Sequence, residues 1–279
     1  MSDRFESGDQ PAAAILFALG TLAIGLSETL GHSTVASAVG SAAEGTDTRF
    51  GIPGSAMFGQ AATASADGAA NSSYDSFASL GGAMLMANMM LGEISPGGAG
   101  SGLYGLLIVA LLAVFLGGLM IGRTPEYLTN RLGAREMKLI SLVILTAPIA
   151  LLVGAGISIA VPMGATAMSN TGSHGLSELL YAFTSSVAGN GSAFAGFTGN
   201  TSFFNALAIA MIAGRYLPMI FVVTLAASLA AQRPGVVTVG TLRTHTPMFV
   251  GLMIGAALIM VGLEYFPALA LGPLAEGVH

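Results

Sequence analysis

Residues 103–122, LYGLLIVALLAVFLGGLMIG, run the thickness of a bilayer without one charged side chain. A helix rises about 1.5 Å per residue, so about 20 apolar residues cross a hydrocarbon core roughly 30 Å thick. Four further blocks are also apolar and of span length: 11–30, PAAAILFALGTLAIGLSETL, with Glu28 near its end; 139–162, LISLVILTAPIALLVGAGISIAVP; 203–231, which holds Arg215; and 247–271, PMFVGLMIGAALIMVGLEYFPALAL. Charged residues make up 8% of the 279 positions and apolar residues 53%. Ordinary soluble domains carry roughly a quarter charged residues, and a soluble fold this poor in charge would expose large apolar patches and associate. The chain therefore reads as an all-α polytopic membrane protein with five spans.

Two other apolar stretches, 53–66 and 176–188, are too short or too broken to cross. Segments of about 10–14 residues suit re-entrant or buried helices better than spans. The basic residues orient the whole. Arg123, Arg131, Arg135 and Lys138 crowd 123–138, Arg233 and Arg243 lie before the last span, and 163–202 has no Lys or Arg. By the positive-inside rule, 123–138 and 232–246 are expected in the cytoplasm and 163–202 outside, so both short segments enter from the outer face. The start, MSDRFESGDQP, lacks the positive region of a secretory signal, and the first apolar block is read as a retained span.

Several functions are excluded. There is no cysteine for a disulfide or thiolate metal site and no basic stripe for nucleic acid. No G-x-x-x-x-G-K, H-E-x-x-H or G-x-S-x-G motif occurs, which leaves nucleotide-binding and intramembrane-enzyme readings without support.

An internal repeat narrows the architecture. MMLGE at 89–93 and MIAGR at 211–215 lie 122 residues apart; ADGAA at 66–70 and GNGSA at 189–193 lie 123 apart. Each half reads span, short helix, glycine loop, span, and duplication of this kind is common in transporters and channels. A glycine loop at membrane depth needs a reason, because unsatisfied backbone groups cost several kcal/mol each in hydrocarbon. Such backbone survives where protein buries it or where it lines a water-filled cavity, and carbonyls facing a pore can replace the hydration shell of an ion. Ser177 is expected to cap the helix before the second loop, with Glu178 at its positive end, so that the negative end points at the loop and favours a cation. The alternative is an ordinary glycine-rich turn.

At this point the chain resembles the KdpA family of potassium-transporting ATPase A subunits. GSGLYG (100–105, with Ser101), GLMIGRTPEYL (118–128), REMKL (135–139), HGLSELLYA (174–182), NGSAFAG (190–196) and PALALGPLAE (267–276) carry the resemblance. It implies two membrane–pore–membrane repeats with re-entrant pore helices plus a final transmembrane helix. The tail is then 1–10, the first repeat 11–122, the cytoplasmic loop 123–138, the second repeat 139–232 and the last helix 246–272. It implies potassium-binding filter loops at 66–70 and 188–193, with Ala66, Asp67, Gly68, Gly189, Asn190 and Gly191 lining the path, and no organic cofactor. Arg215 would constrict the inner path, and Gly97, Gly98 and Gly100 would form a gating loop. The structural alternatives are a pairing of Arg215 with Glu93, a plain hinge at the glycines, and packing or capping for His174. The partners implied are a P-type ATPase B subunit that hydrolyses the ATP, an accessory C subunit and a small F subunit, in the bilayer of the cell membrane.

The family's subunit has four repeats, of which this chain resembles the third and fourth. Two loops do not close a four-loop filter, so a first half or a second copy is expected. A split or truncated remnant that inserts without conducting and a homodimeric channel are the alternatives. The family usually has Ser-Thr-Gly or Ser-Cys-Gly where this chain has Ala66-Asp67-Gly68, and Asp67 would add charge near the path.

Overall fold

The structure is a computed structural model that describes residues 6–30, 45–94, 97–98, 100–122, 124–127, 130–195, 201–232 and 246–277. Arg123, Arg233 and Arg243, on which part of the orientation argument rests, lie outside the described residues. The helices are α1 (Glu6–Leu30), α2 (Gly51–Ala64), α3 (Ser79–Met90), α4 (Ser101–Ile121), α5 (Ala134–Ala160), α6 (Pro162–Ala167), α7 (Gly172–Ala188), α8 (Ser202–Ala230) and α9 (Pro247–Leu269), the last continuing into a wider turn over Ala270–Leu274. A two-residue hairpin, β1 (Glu126–Tyr127) with β2 (Asn130–Arg131), pairs Glu126 with Arg131 before α5.

Five helices are long and apolar enough to span: Pro11–Leu30, Ser101–Met120, Ala134–Ala160, Ser202–Ala230 and Pro247–Leu274. They agree with the five predicted blocks. On α1 the buried residues Ala12, Leu16, Gly20, Ile24 and Glu28 recur every fourth position, while Ile15, Leu19, Leu22 and Leu26 face outward. That is one helical stripe packed inward and an apolar flank left for lipid or further protein. α5 and α8 form the largest helix pair. They run antiparallel, because Ser228 on α8 donates to Glu136 Oε1 on α5 at 2.7 Å and Gln232 exchanges two hydrogen bonds with the Arg131 backbone. Glu136 also accepts from the Gly133 N–H at 3.0 Å, closing the first turn of α5.

Two local expectations are corrected, and one helix is added: residues 79–90 form α3, separated from α4 by the glycine-rich stretch that holds Gly97, Gly98 and Gly100. Helix α7 begins at Gly172 and not near Ser177, because Gly172 turns the chain at φ +71° and Ser177 sits inside, donating to the Ser173 carbonyl at 3.1 Å. Glu178 accordingly faces back to accept from Ser169 N, Asn170 N and Asn170 Nδ2, the last at 2.7 Å. Finally, α5 starts at Ala134, so Arg135 and Lys138 belong to its first turns and not to a loop.

Candidate functional site

Helices α2 and α7 are both shorter than a span, and each ends at one of the two glycine loops. α2 stops at Ala64, with the Ser65 N–H and Oγ both donating to the Ala61 carbonyl. α7 stops at Gly189 (φ +79°), whose N–H reaches the Ser185 and Ser186 carbonyls. The third glycine position repeats: Gly68 has φ +71° and Gly191 φ +88°, a left-handed conformation that side chains disfavour. The loops touch there. A Cβ at position 68 would lie 2.6 Å from the Asn190 carbonyl oxygen, whereas one at 191 meets nothing within 4 Å.

Asn190 joins the two loops. Its buried side-chain amide donates to the carbonyls of Ala62, at 2.7 Å, and Ser65, at 2.9 Å, at the end of α2. Its Oδ1 accepts from the Ser192 N–H at 3.1 Å. Ser185, on α7, holds the second loop from behind: its Oγ donates to the Ser192 carbonyl at 2.8 Å and accepts from the Gly191 N–H at 3.1 Å. Tyr181 adds a bond to Ser192 Oγ at 2.8 Å, and its ring packs 4.5 Å from that of Phe194. Loop backbone is thus held by buried side chains.

The other predicted residues gather round these loops. Gly98 packs on Ala66, where a Cβ would lie 2.8 Å from the alanine methyl, and the Gly97 N–H donates to the Ala64 carbonyl at 3.2 Å. Gly97 (φ +107°) and Gly100 (φ +81°) break the chain between α3 and α4. Arg215 leans on the second loop from α8, with Nη1 3.1 Å from where a Cβ of Gly189 would stand. It is exposed and makes no ion pair among the described residues. Glu93, its repeat mate, is 1% exposed with φ +54°, and among the described residues the Asn190 side-chain amide and the Arg215 guanidinium act on its carboxylate. Arg215 and Glu93 thus both lie beside the second loop, with no salt bridge between them among the described residues. Asp67 is exposed, so its carboxylate stands clear of the protein interior. Beside the loops a mostly apolar cavity of about 120 Å³ opens among Met90, Tyr104, Thr184, Val187, Gly214 and Glu264.

Sequence reasoning missed the bonds that three polar side chains, Gln60, Asn88 and Glu28, make around the site. Gln60 on α2 and Asn88 on α3 form a buried reciprocal amide pair, Asn88 Nδ2 donating to Gln60 Oε1 at 2.8 Å and to Thr63 Oγ1 at 3.0 Å. Glu28 Oε1 accepts from the Ala78 N–H at 2.9 Å, tying the end of α1 to the start of α3. His174 bonds Asp75 and Glu276, each at 2.9 Å.

Five spans and two short helices ending at touching glycine loops define a multi-pass α-helical membrane protein. The chain belongs to the KdpA family: the model described as "Potassium-transporting ATPase A subunit" matches residues 11–278. It is 54% identical over 270 residues to the potassium-transporting ATPase potassium-binding subunit of Frankia alni, covering 96% of this chain and 46% of that one. The subunit so named in Clavibacter michiganensis is 54% identical over 271 residues, 95% of this chain and 49% of the relative. That of Streptomyces coelicolor is 52% identical over 248 residues, 88% and 45%. The chain spans about half the length of the curated relatives it matches.

Proposed function

We propose that the chain supplies two of the loops that bind and pass potassium in a potassium-transporting ATPase, as a non-catalytic subunit whose ATP is hydrolysed by a partner of the P-type class. The observation that carries this reading is the contact of 66–68 with 189–191 at the C-terminal ends of α2 and α7. Helix C-termini carry partial negative charge, and glycines with positive φ free their carbonyls to turn toward an ion. In this reading α2 and α7 are re-entrant pore helices in two membrane–pore–membrane repeats, 11–122 and 139–232, with α9 as a closing helix. Gly97, Gly98 and Gly100 form a gate, and Arg215, reaching Gly189 from α8, narrows the inner path. Two further loops come from the other half of a longer subunit or from a second copy. The accessory C and small F subunits of the Kdp complex complete the assembly in the cell membrane.

Uptake by the reconstituted complex tests the reading. Gly68→Ala and Gly191→Ala should each raise the potassium concentration for half-maximal uptake at least tenfold, Gly68→Ala more because its Cβ also meets the Asn190 carbonyl. Unchanged affinity in both removes the loops from the ion path. A topology reporter fused after Ser173 should report the outer face, and a cytoplasmic signal there overturns the orientation.

A further inference from the structure

His174 is the one histidine among the described residues, and it sits where three distant segments meet. Its Nε2 lies 2.9 Å from Asp75 Oδ1, on the turn after the first loop. Its Nδ1 lies 2.9 Å from Glu276 Oε1, beyond the last span. These partners are 99 and 102 residues away, and the imidazole is mostly enclosed, with 14% of its side chain accessible. Glu276 Oε2 also lies 3.4 Å from the Ser177 Oγ, whose single hydrogen is shared with the closer Ser173 carbonyl. Asp75 continues the chain of contacts, since its backbone N–H donates to the Phe194 carbonyl at 2.8 Å, three residues beyond Gly191. The Phe194 ring in turn packs on Tyr181 and lies 6.2 Å from the imidazole.

We infer that His174 is a doubly protonated positioning residue, a cationic clasp between Asp75 and Glu276 that sets the exit of the second loop against the first. A carboxylate accepts and does not donate, so an imidazole bonded to one through each nitrogen needs a hydrogen on both. The groups facing the ring are Asp75 on the turn, Glu276 beyond α9 and Glu178 on its own helix, all acidic. The hydrogen bonds to Asp75 and Glu276 push the His174 pKa up to about 10, against the opposing effect of burial. The clasp thus stays charged across the physiological range. It touches no loop carbonyl that would meet an ion, and it acts through the Asp75 N–H on the Phe194 carbonyl.

The effect on ion discrimination rests on the proposed function, so two readouts are paired. The first is the ¹⁵N spectrum of the histidine-labelled chain in lipid nanodiscs, with the His174 signal assigned by its loss in His174→Gln. Both ring nitrogens should show imidazolium shifts at pH 8, above the ordinary imidazole value of about 6.5; a neutral ring overturns the clasp. The second is the ratio of potassium to rubidium affinity in uptake by the assembled complex. His174→Gln and Asp75→Asn should each lower that ratio at least threefold with the maximal rate within twofold of wild type, and His174→Lys, which restores the cation, should recover part of it. A charged His174 whose removal leaves the ratio unchanged overturns the positioning role. Wild-type uptake that does not depend on potassium overturns the filter reading instead, and with it the effect on discrimination, while the spectrum still decides the clasp.

Discussion

The two halves of the chain use one packing device with opposite chemistry. In the first, Gln60 on α2 presses into the notch at Gly20 on α1; in the second, Phe183 on α7 presses into the notch at Gly154 on α5. A Cβ at either glycine would collide with the incoming side chain. Gln60 and Phe183 are 123 residues apart, the same offset as the glycine loops. The aromatic version needs only packing, supplied by an edge-on contact with Phe203 at 5.7 Å. The polar version needs a partner, because an unpaired amide is costly in an apolar interior, and Asn88 supplies it. What duplicates is the notch and the reach of a side chain into it; the residue type follows from the neighbours each half provides.

The largest expected effect separates the two notches. Phe183→Ala should cost about 3–5 kcal/mol through the cavity it leaves. Asn88→Leu should cost about 1–3 kcal/mol by stranding the Gln60 amide, and Gln60→Leu with Asn88→Leu should recover most of that. Thermal unfolding in detergent, followed by the monodisperse fraction, ranks the variants. If the double substitution is no better than the single one, the amide pair is not what the first notch depends on.

A second pair of variants tests the glycines just before the charged mates. Gly214 packs against the Val187 backbone, where a Cβ meets the carbonyl oxygen and the Cα, so Gly214→Ala should cost about 3 kcal/mol. Gly92 has φ +81° and open surroundings, so Gly92→Ala should cost only the left-handed penalty of about 1 kcal/mol. Equal losses in the same unfolding assay would break the contrast between a continuous α8 and an interrupted α3–α4.

Much of the fold was legible because hydrocarbon leaves the chain few choices. Apolar blocks of span length became α1, α4, α5, α8 and α9, and the matched glycine loops came to lie together. The helix α3 was not legible: SLGGAMLMANMM is shorter than a span, and its glycine pair and Asn88 weaken any local helix signal. Ser177 looked like a cap because a serine precedes an acidic residue there, but the conformation of Gly172 moved the start of the helix one turn and more upstream. Within the candidate site, repeat spacing singled out the two loops and a charge inside a span singled out Arg215, while their roles were implied only by the family resemblance. The reach of Asn190 to Ala62 and of His174 to Asp75 and Glu276 depends on contacts between distant segments, which no local pattern encodes.

The smallest effect concerns the contact that joins the halves. His174 has a folded pKa raised from 6.5 to about 10, so its stabilisation is fully present below pH 6.5 and is lost as pH rises through about 10. The melting temperature of the wild type should exceed that of His174→Gln by about 2–4 °C near neutral pH, and the gap should close by about pH 11. A gap that stays constant with pH would mean the imidazole contributes by packing alone.

The reach of Asn190 also has a consequence for biosynthesis. The Ala62 carbonyl waits for an amide that lies 128 residues further along the chain. At roughly 5–20 residues per second, the ribosome needs roughly 6 to 26 seconds to supply it. For that interval the Ala62 and Ser65 carbonyls lack the Asn190 amide that they accept from in the folded chain. The first loop therefore matures only when the second arrives, and a ribosome stalled before residue 190 would leave the earlier half inserted but unfinished.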